Sequence, residues 1–145
     1  MKEAGYDSAA AAAADKTAFV FMGHGTSHTA KVSYSQMQTT CRPWATTTCS
    51  SARWRASLRT PPARLSSSCE AAGYTKVILR PLMVVAGDHA NNDMAGEDAD
   101  SWLSQFTAAG CFESVDCQIS GLGRIADVQQ LYIAHTKAAM DLLNG

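Results

Sequence analysis

Apolar positions along this chain fall in runs separated by polar, helix-like stretches. "TAFVFMG" (17–23) is one short run, and "KVILRPLMVV" (76–85) is a longer one with Val77, Ile78, Leu79, Leu82, Met83, Val84 and Val85. Near-continuous runs of this length fit strands buried on both faces of a parallel sheet. Pro81 predicts a bend or bulge in the second run, because it has no N–H to give to a ladder. "ESVDCQISGLG" (113–123) alternates Val115, Cys117 and Ile119 and predicts a third strand. After the first run, "TAKVSYSQMQTT" (29–40) carries Val32, Tyr34 and Met37 at loosely helical spacing. "DADSWLSQFTAAGC" (98–111) opens with acids and Ser101, puts Trp102, Leu103 and Phe106 on one side, and stops at Gly110. The last helix is predicted in "IADVQQLYIAHTKAAMDLLNG" (125–145), where Ile125, Val128, Leu131, Tyr132, His135, Met140 and Leu143 roughly fit a 3.6 period. Gly73 in "CEAAGYTK" reads as the C-cap of a further helix, and "KEAGYDS" repeats that Gly-Tyr arrangement near the N-terminus. Strands alternating with helices imply an α/β fold: a parallel sheet with helices on both faces. Residues 18–145 are expected to form the domain, preceded over 1–17 by a tail or remnant helix whose Ala9–Ala14 run is a helix or a loose linker.

One segment does not follow the pattern. "CRPWATTTCSSARWRASLRTPPARLSSSC" (41–69) has no Asp, Glu or Gly and no amphipathic period, and holds five of the seven Arg. It is expected to be irregular. A flexible basic insertion has such a composition, and so does a GC-rich coding stretch translated out of frame. We favour the second: a shift of one base permits a reading that restores acids and an apolar strand.

Composition narrows the class. The chain has 145 residues, is 46% hydrophobic and 17% charged, and carries a formal net charge of −1. That balance suits one globular domain and does not point to nucleic acid as a partner. No apolar run approaches the ~20 residues of a membrane helix. The acidic, polar residues before the Ala run are unlike a signal peptide, so a cytoplasmic protein is expected. The five Cys are odd in number and form no C-x-x-C pair, against a disulfide framework and a zinc ribbon.

The chemistry concentrates where two apolar runs end. "FVFMGHGTSH" (19–28) delivers His24 between Gly23 and Gly25, and "LMVVAGDHANNDMAG" (82–96) delivers His89 two residues after Gly87. In parallel α/β sheets, ligands bind at the C-terminal ends of the strands. Glycine allows a sharp turn and a close ligand. Imidazole is either a nitrogen ligand for a borderline metal or a general base near neutral pH. Two such histidines on adjacent strands could share one divalent ion, and the acids and amides around His89 could orient its ring or meet ligand carboxylates. His28 and His135 read as exposed or supporting residues. Ser27 is a weak nucleophile candidate, since "GHGTSH" is not the G-x-S-x-G elbow.

These motifs carry a resemblance. "FVFMGHGTSHTAKVSYSQMQ", "GYTKVILRPLMVVAGDHANNDMAGEDADSW" and "GLGRIADVQQLYIAHTKAA" resemble the anaerobic sirohydrochlorin cobaltochelatases of the CbiK type. The resemblance runs from about Ala18 to the C-terminus, apart from the Arg/Ser-rich segment. It implies a class II tetrapyrrole chelatase, inserting Co2+ into sirohydrochlorin without ATP during anaerobic cobalamin synthesis. It implies two similar α/β lobes with the site in the cleft between them, of which this chain matches the C-terminal one. The family's metal ligands, a histidine in "MGHGT", a glutamate in "GTVEG" and a histidine in "AGDHA", map onto His24, no residue, and His89. The glutamate belongs near Arg55, where this chain reads "ARWRAS"; the shifted frame yields "GTVEG" there. Backbone groups near Gly23, Gly25 and Gly87, with Asn91 and Asn92, are expected to position the carboxylate-rich substrate.

The expected reading is therefore a cobaltochelatase with sirohydrochlorin as substrate and Co2+ as the inserted metal. Ni2+, Fe2+ and Zn2+ are also compatible with nitrogen ligands. Neither nucleic acid nor membrane is expected as a partner, and a homo-oligomer is compatible. The alternatives are a non-catalytic metal- or tetrapyrrole-binding module and an inactive chelatase fragment.

Overall fold

The computed structural model describes residues 2–25, 28–29, 32–41, 47–51 and 62–144. Four parallel strands form one sheet: β1 (Thr17–Gly23), β2 (Thr47–Ser51), β3 (Lys76–Leu82) and β4 (Ser114–Cys117), in the order β2-β1-β3-β4. The helices are α1 (Ala9–Ala14), α2 (Val32–Cys41), α3 (Pro62–Ala71), α4 (Trp102–Ala108) and α5 (Ala126–Asn144). A π-helical turn spans His89–Met94.

The alternation of β1 and β3 explains why both runs are apolar throughout. Ala18, Val20 and Met22 of β1, with Val77 and Leu79 of β3, pack on one face against Leu65 and Cys69 of α3 and Trp102 and Phe106 of α4. Phe19 and Ile78 point to the other face, against Ala12 of α1, Ala4 and Tyr6. Helices thus cover both faces, as the runs predict. Fully burying a side chain such as Phe19 stabilises by roughly 1.5–3 kcal/mol. The Ala run is a helix because Ser8 caps it, accepting from the Ala11 N–H at 3.1 Å. Gly73, at φ 80°, ends α3 with the bond pair of a Schellman motif: Tyr74 N–H to Cys69 O and Gly73 N–H to Glu70 O.

Several expectations change. The segment 41–69 is not wholly irregular: β2 and α3 lie within it, and α3 buries Leu65, Ser66 and Cys69. The buried positions of α3, Pro62, Leu65, Ser66 and Cys69, do recur at helical spacing, but a proline and a serine among them hide the period in the sequence, and Ser66, Ser67 and Ser68 turn their hydroxyls back onto helix carbonyls. Strand β3 ends at Leu82, so Val84 and Val85 are exposed. Pro81 sits inside β3, opposite Met22. Leu79 turns its carbonyl to Gln118 on the β4 side, so Pro81, next in that alternation, faces beyond the last β3–β4 pair and no ladder donor is lost. Ile119 lies past β4 and is exposed. Helix α5 forms where expected but buries no residue, leaving Leu131, Tyr132, Ile133, Met140, Leu142 and Leu143 exposed. Among the described residues, no helix is long and apolar enough to cross a membrane.

Candidate functional site

The strand order creates a switch point. From β1 the chain moves outward to β2, then returns past β1 to β3 and on to β4. The crevice at the carboxyl ends of β1 and β3 is where such sheets bind ligands. His24 is the first residue after β1, and His89 follows β3 at the start of the π-helical turn. The paired ends Gly23 and Leu82 bring both loops together. The two rings meet edge to face, with centroids 4.6 Å apart and planes at 69°. His24 is exposed and His89 partly exposed.

Asp93 fixes His89. Its Oδ2 lies 2.5 Å from His89 Nδ1, four residues on along the turn. With Nδ1 committed to the carboxylate, Nε2 is the nitrogen that would meet a metal, an arrangement that sets tautomer and ring direction. The turn itself rests on Gly87, whose carbonyl accepts from the Ala90 and Asn91 backbone N–H groups, each at 3.1 Å. Gly96 closes it: a Cβ there would overlap the Asn92 carbonyl oxygen. Single π-helical turns of this kind often occur at functional sites.

His24 is held from its flanks. Gly25 sits at φ 75° and donates its N–H to Tyr34 Oη at 2.9 Å. A Cβ on Gly23 would overlap Tyr34 Cε1 and lie 3.0 Å from Cζ. The glycine is required because the tyrosine ring of α2 lies against it.

The other predicted site residues surround this pair. Asn91 donates to Gly87 O at 2.7 Å, and Asn92 donates to Asp88 Oδ1 at 2.6 Å; both are exposed. A Cβ on Gly87 would meet nothing within 4 Å, so the space above it is open. His28 is exposed outside the pair, and His135 is exposed on α5. Ser27 and Arg55 lie outside the described residues. Asp93 is one of the acids around His89 that the sequence offers for orienting its ring, and it is the one that makes the contact; Tyr34 is expected only as a helix residue, its one signal being an aromatic early in the helix after "GHG".

Chemically, the site is an open pair of imidazoles, one of them backed by a carboxylate. Among the described residues, no group of three or more His, Cys, Asp and Glu side chains could hold a metal ion. Two imidazoles suit an ion that must arrive and leave, rather than a closed structural site. Cys117 does not add to it: burial, with the Asp116 charge, pushes its thiol up to about 11, far from a thiolate at neutral pH.

The model of the family described as cobalt chelatase (CbiK) matches residues 6–141. The chain belongs to this family. It is 40% identical over 127 residues to the sirohydrochlorin cobaltochelatase of Salmonella typhimurium, covering 85% of this chain and 45% of that protein. It is 31% identical over 138 residues to the sirohydrochlorin cobaltochelatase CbiKC of Nitratidesulfovibrio vulgaris, covering 88% and 43%. The chain thus spans less than half the length of these relatives. Among solved structures, a cobalamin biosynthesis CbiX protein from Marinobacter aquaeolei has the same fold: TM-score 0.61, 10% identity, covering 89% of this chain and 98% of that one.

Proposed function

We propose that this cobalt chelatase family chain holds Co2+ between His24 and His89 and delivers it to sirohydrochlorin, the insertion step of cobalamin biosynthesis. The observation that carries the reading is the ring pair at the switch point, 4.6 Å apart, with Asp93 behind His89. The names of the two relatives support the metal and the substrate.

Insertion exchanges the N–H protons of the tetrapyrrole for one divalent ion. The protein must present the ion on few, exchangeable ligands. Asp93 holds His89 at Nδ1, and His24 approaches from the neighbouring strand end. The second N–H of the Asn91 and Asn92 amides, and the open backbone at Gly87, are suited to carboxylates at the macrocycle rim. Nitrogen ligands would also accept Ni2+, Fe2+ or Zn2+.

The exposed apolar residues of α5 suit contact with a second lobe, as in a homo-oligomer. Net charge near zero and the family chemistry suit a cytoplasmic enzyme that engages neither nucleic acid nor membrane. A second reading, a non-catalytic metal- or tetrapyrrole-binding module, is favoured by the presence of only two ligands among the described residues.

A metal-insertion assay separates the two. Co2+ and sirohydrochlorin are mixed with the chain, and the tetrapyrrole absorbance is followed. A rate above the uncatalysed reaction that disappears in His24→Ala and in His89→Ala is the expected result. Co2+ binding without any rate enhancement makes the chain a binding module. Equal rates in the parent and both variants, all above the uncatalysed reaction, refute the site.

A further inference from the structure

The metal reading gives Tyr34 no role, yet its side chain touches the backbone on both sides of His24. The ring lies against Gly23, where no Cβ would fit, and the hydroxyl accepts the Gly25 N–H at 2.9 Å. Gly25 is at φ 75°, a conformation that does not confine the chain by itself. Tyr34 comes from α2, whereas the other imidazole comes from the loop after β3. The backbone carrying His24 is therefore braced by α2 while its ring meets His89, 4.6 Å away.

We propose that Tyr34 is the positioning residue for His24: it locks the Gly23–Gly25 turn so that the His24 ring faces His89 before a metal arrives. This rests on the reading of the two histidines as the Co2+ pair. A metal–imidazole bond tolerates little error in distance, about 2.0–2.1 Å for zinc. Apparent affinity falls in proportion to the fraction of molecules with both rings in place. Without the brace the turn samples other conformations, and each takes His24 away from its partner. The hydroxyl and the ring act separately, so the two contributions can be removed one at a time.

The test uses Tyr34→Phe, which keeps the ring and removes the acceptor, and Tyr34→Ala, which removes both. Co2+ is titrated into the folded chain well below its melting temperature, and the visible absorption of the bound ion is read. His24→Ala and His89→Ala are titrated alongside, and hydrogen exchange of the Gly25 amide is followed without metal. Tyr34→Phe should weaken Co2+ binding by about two- to tenfold, the range set by one neutral hydrogen bond, with the absorption at saturation unchanged. The Gly25 amide should exchange faster in the same variant. Tyr34→Ala, if it folds, should bind more weakly still. Parent-like Co2+ affinity in Tyr34→Phe, alongside lost binding in the histidine variants, overturns the role of Tyr34 alone. A role confined to stability lowers the melting temperature without moving the affinity of the folded chain, and that too overturns it. Parent-like binding in His24→Ala and His89→Ala overturns the metal site, and the inference with it.

Discussion

The contact between His89 and Asp93 sets a measurable expectation for metal affinity. Asp93→Ala removes the carboxylate that fixes Nδ1; Asp93→Asn keeps an oxygen that can accept from the ring but removes the charge. Partners of this kind typically contribute 10–100-fold in metal affinity. The side chains of His89 and Asp93 are 32% and 38% exposed, so solvent screens part of the interaction. The lower end of the range applies: about tenfold for Asp93→Ala, or about 1.4 kcal/mol. A smaller loss is expected for Asp93→Asn. The assay is a Co2+ titration at constant pH and ionic strength. Asp141→Asn on the exposed α5 serves as a control for loss of one negative charge. Unchanged affinity in Asp93→Ala refutes the argument. So does an equal loss in Asp141→Asn, which would mean that net charge and not ring orientation is being measured.

Stability should respond at two other places. Phe106 is fully buried and stacks with Trp102 and with Phe112, centroids 6.5 and 6.0 Å away; Phe106→Ala should cost about 3–5 kcal/mol in urea unfolding and lower Tm by about 10–16 °C. The pair of Asp15 and Lys76, 2.9 Å apart, joins the end of α1 to β3. The Lys76 hydrogen bond first, then that of Tyr6, holds the Asp15 carboxyl below its usual range, and the Asp15 hydrogen bond holds Lys76 above its own. The Asp15 contribution is present above the ordinary carboxylate range and fades as pH falls through and below it, while the Lys76 contribution is present below the ordinary lysine range and fades as pH rises through it. Asp15→Asn should therefore flatten the acid limb of a plot of unfolding midpoint against pH, slightly because the pair faces solvent; an unchanged acid limb refutes the assignment.

Much of the site was legible because parallel strands place their ends on one side. Two apolar runs, each followed within a few residues by glycine and histidine, place His24 and His89 at the same end of a parallel sheet. That β1 and β3 are neighbours, flanking the switch point, was not legible, since nothing local in "TAFVFMG" or "KVILRPL" names its partner strand. Asp93 acts through a π-helical turn whose spacing resembles an ordinary helical one. Tyr34 reads as one more apolar helix residue, and its role depends on where α2 crosses the Gly23–Gly25 turn. The period of α5 predicted a helix correctly but said nothing of what covers it, because periodicity records a face and not its partner.

The Arg/Ser-rich segment bears on the site through β2. Its register with β1 ends at Gly23 opposite Ser51, so β2 stops level with the residue before His24. A third strand end thus lies beside the histidine pair, on the side away from His89. The family resemblance expects a glutamate shortly after that point, near Arg55, a position outside the described residues. An edge strand needs only backbone hydrogen bonds from β1, which "TTCSS" can form whatever its side chains. A metal ligand, by contrast, needs one particular side chain. A stretch translated out of frame can therefore keep the strand and lose the acid. Sequencing the coding DNA across residues 41–69 should reveal compensating single-base changes at its two ends, with Gly-Thr-Val-Glu-Gly in the corrected frame. An intact frame that encodes "CRPWATTTCSSARW" refutes the shift, leaves His24 and His89 without that glutamate, and makes the binding-module reading the one to pursue.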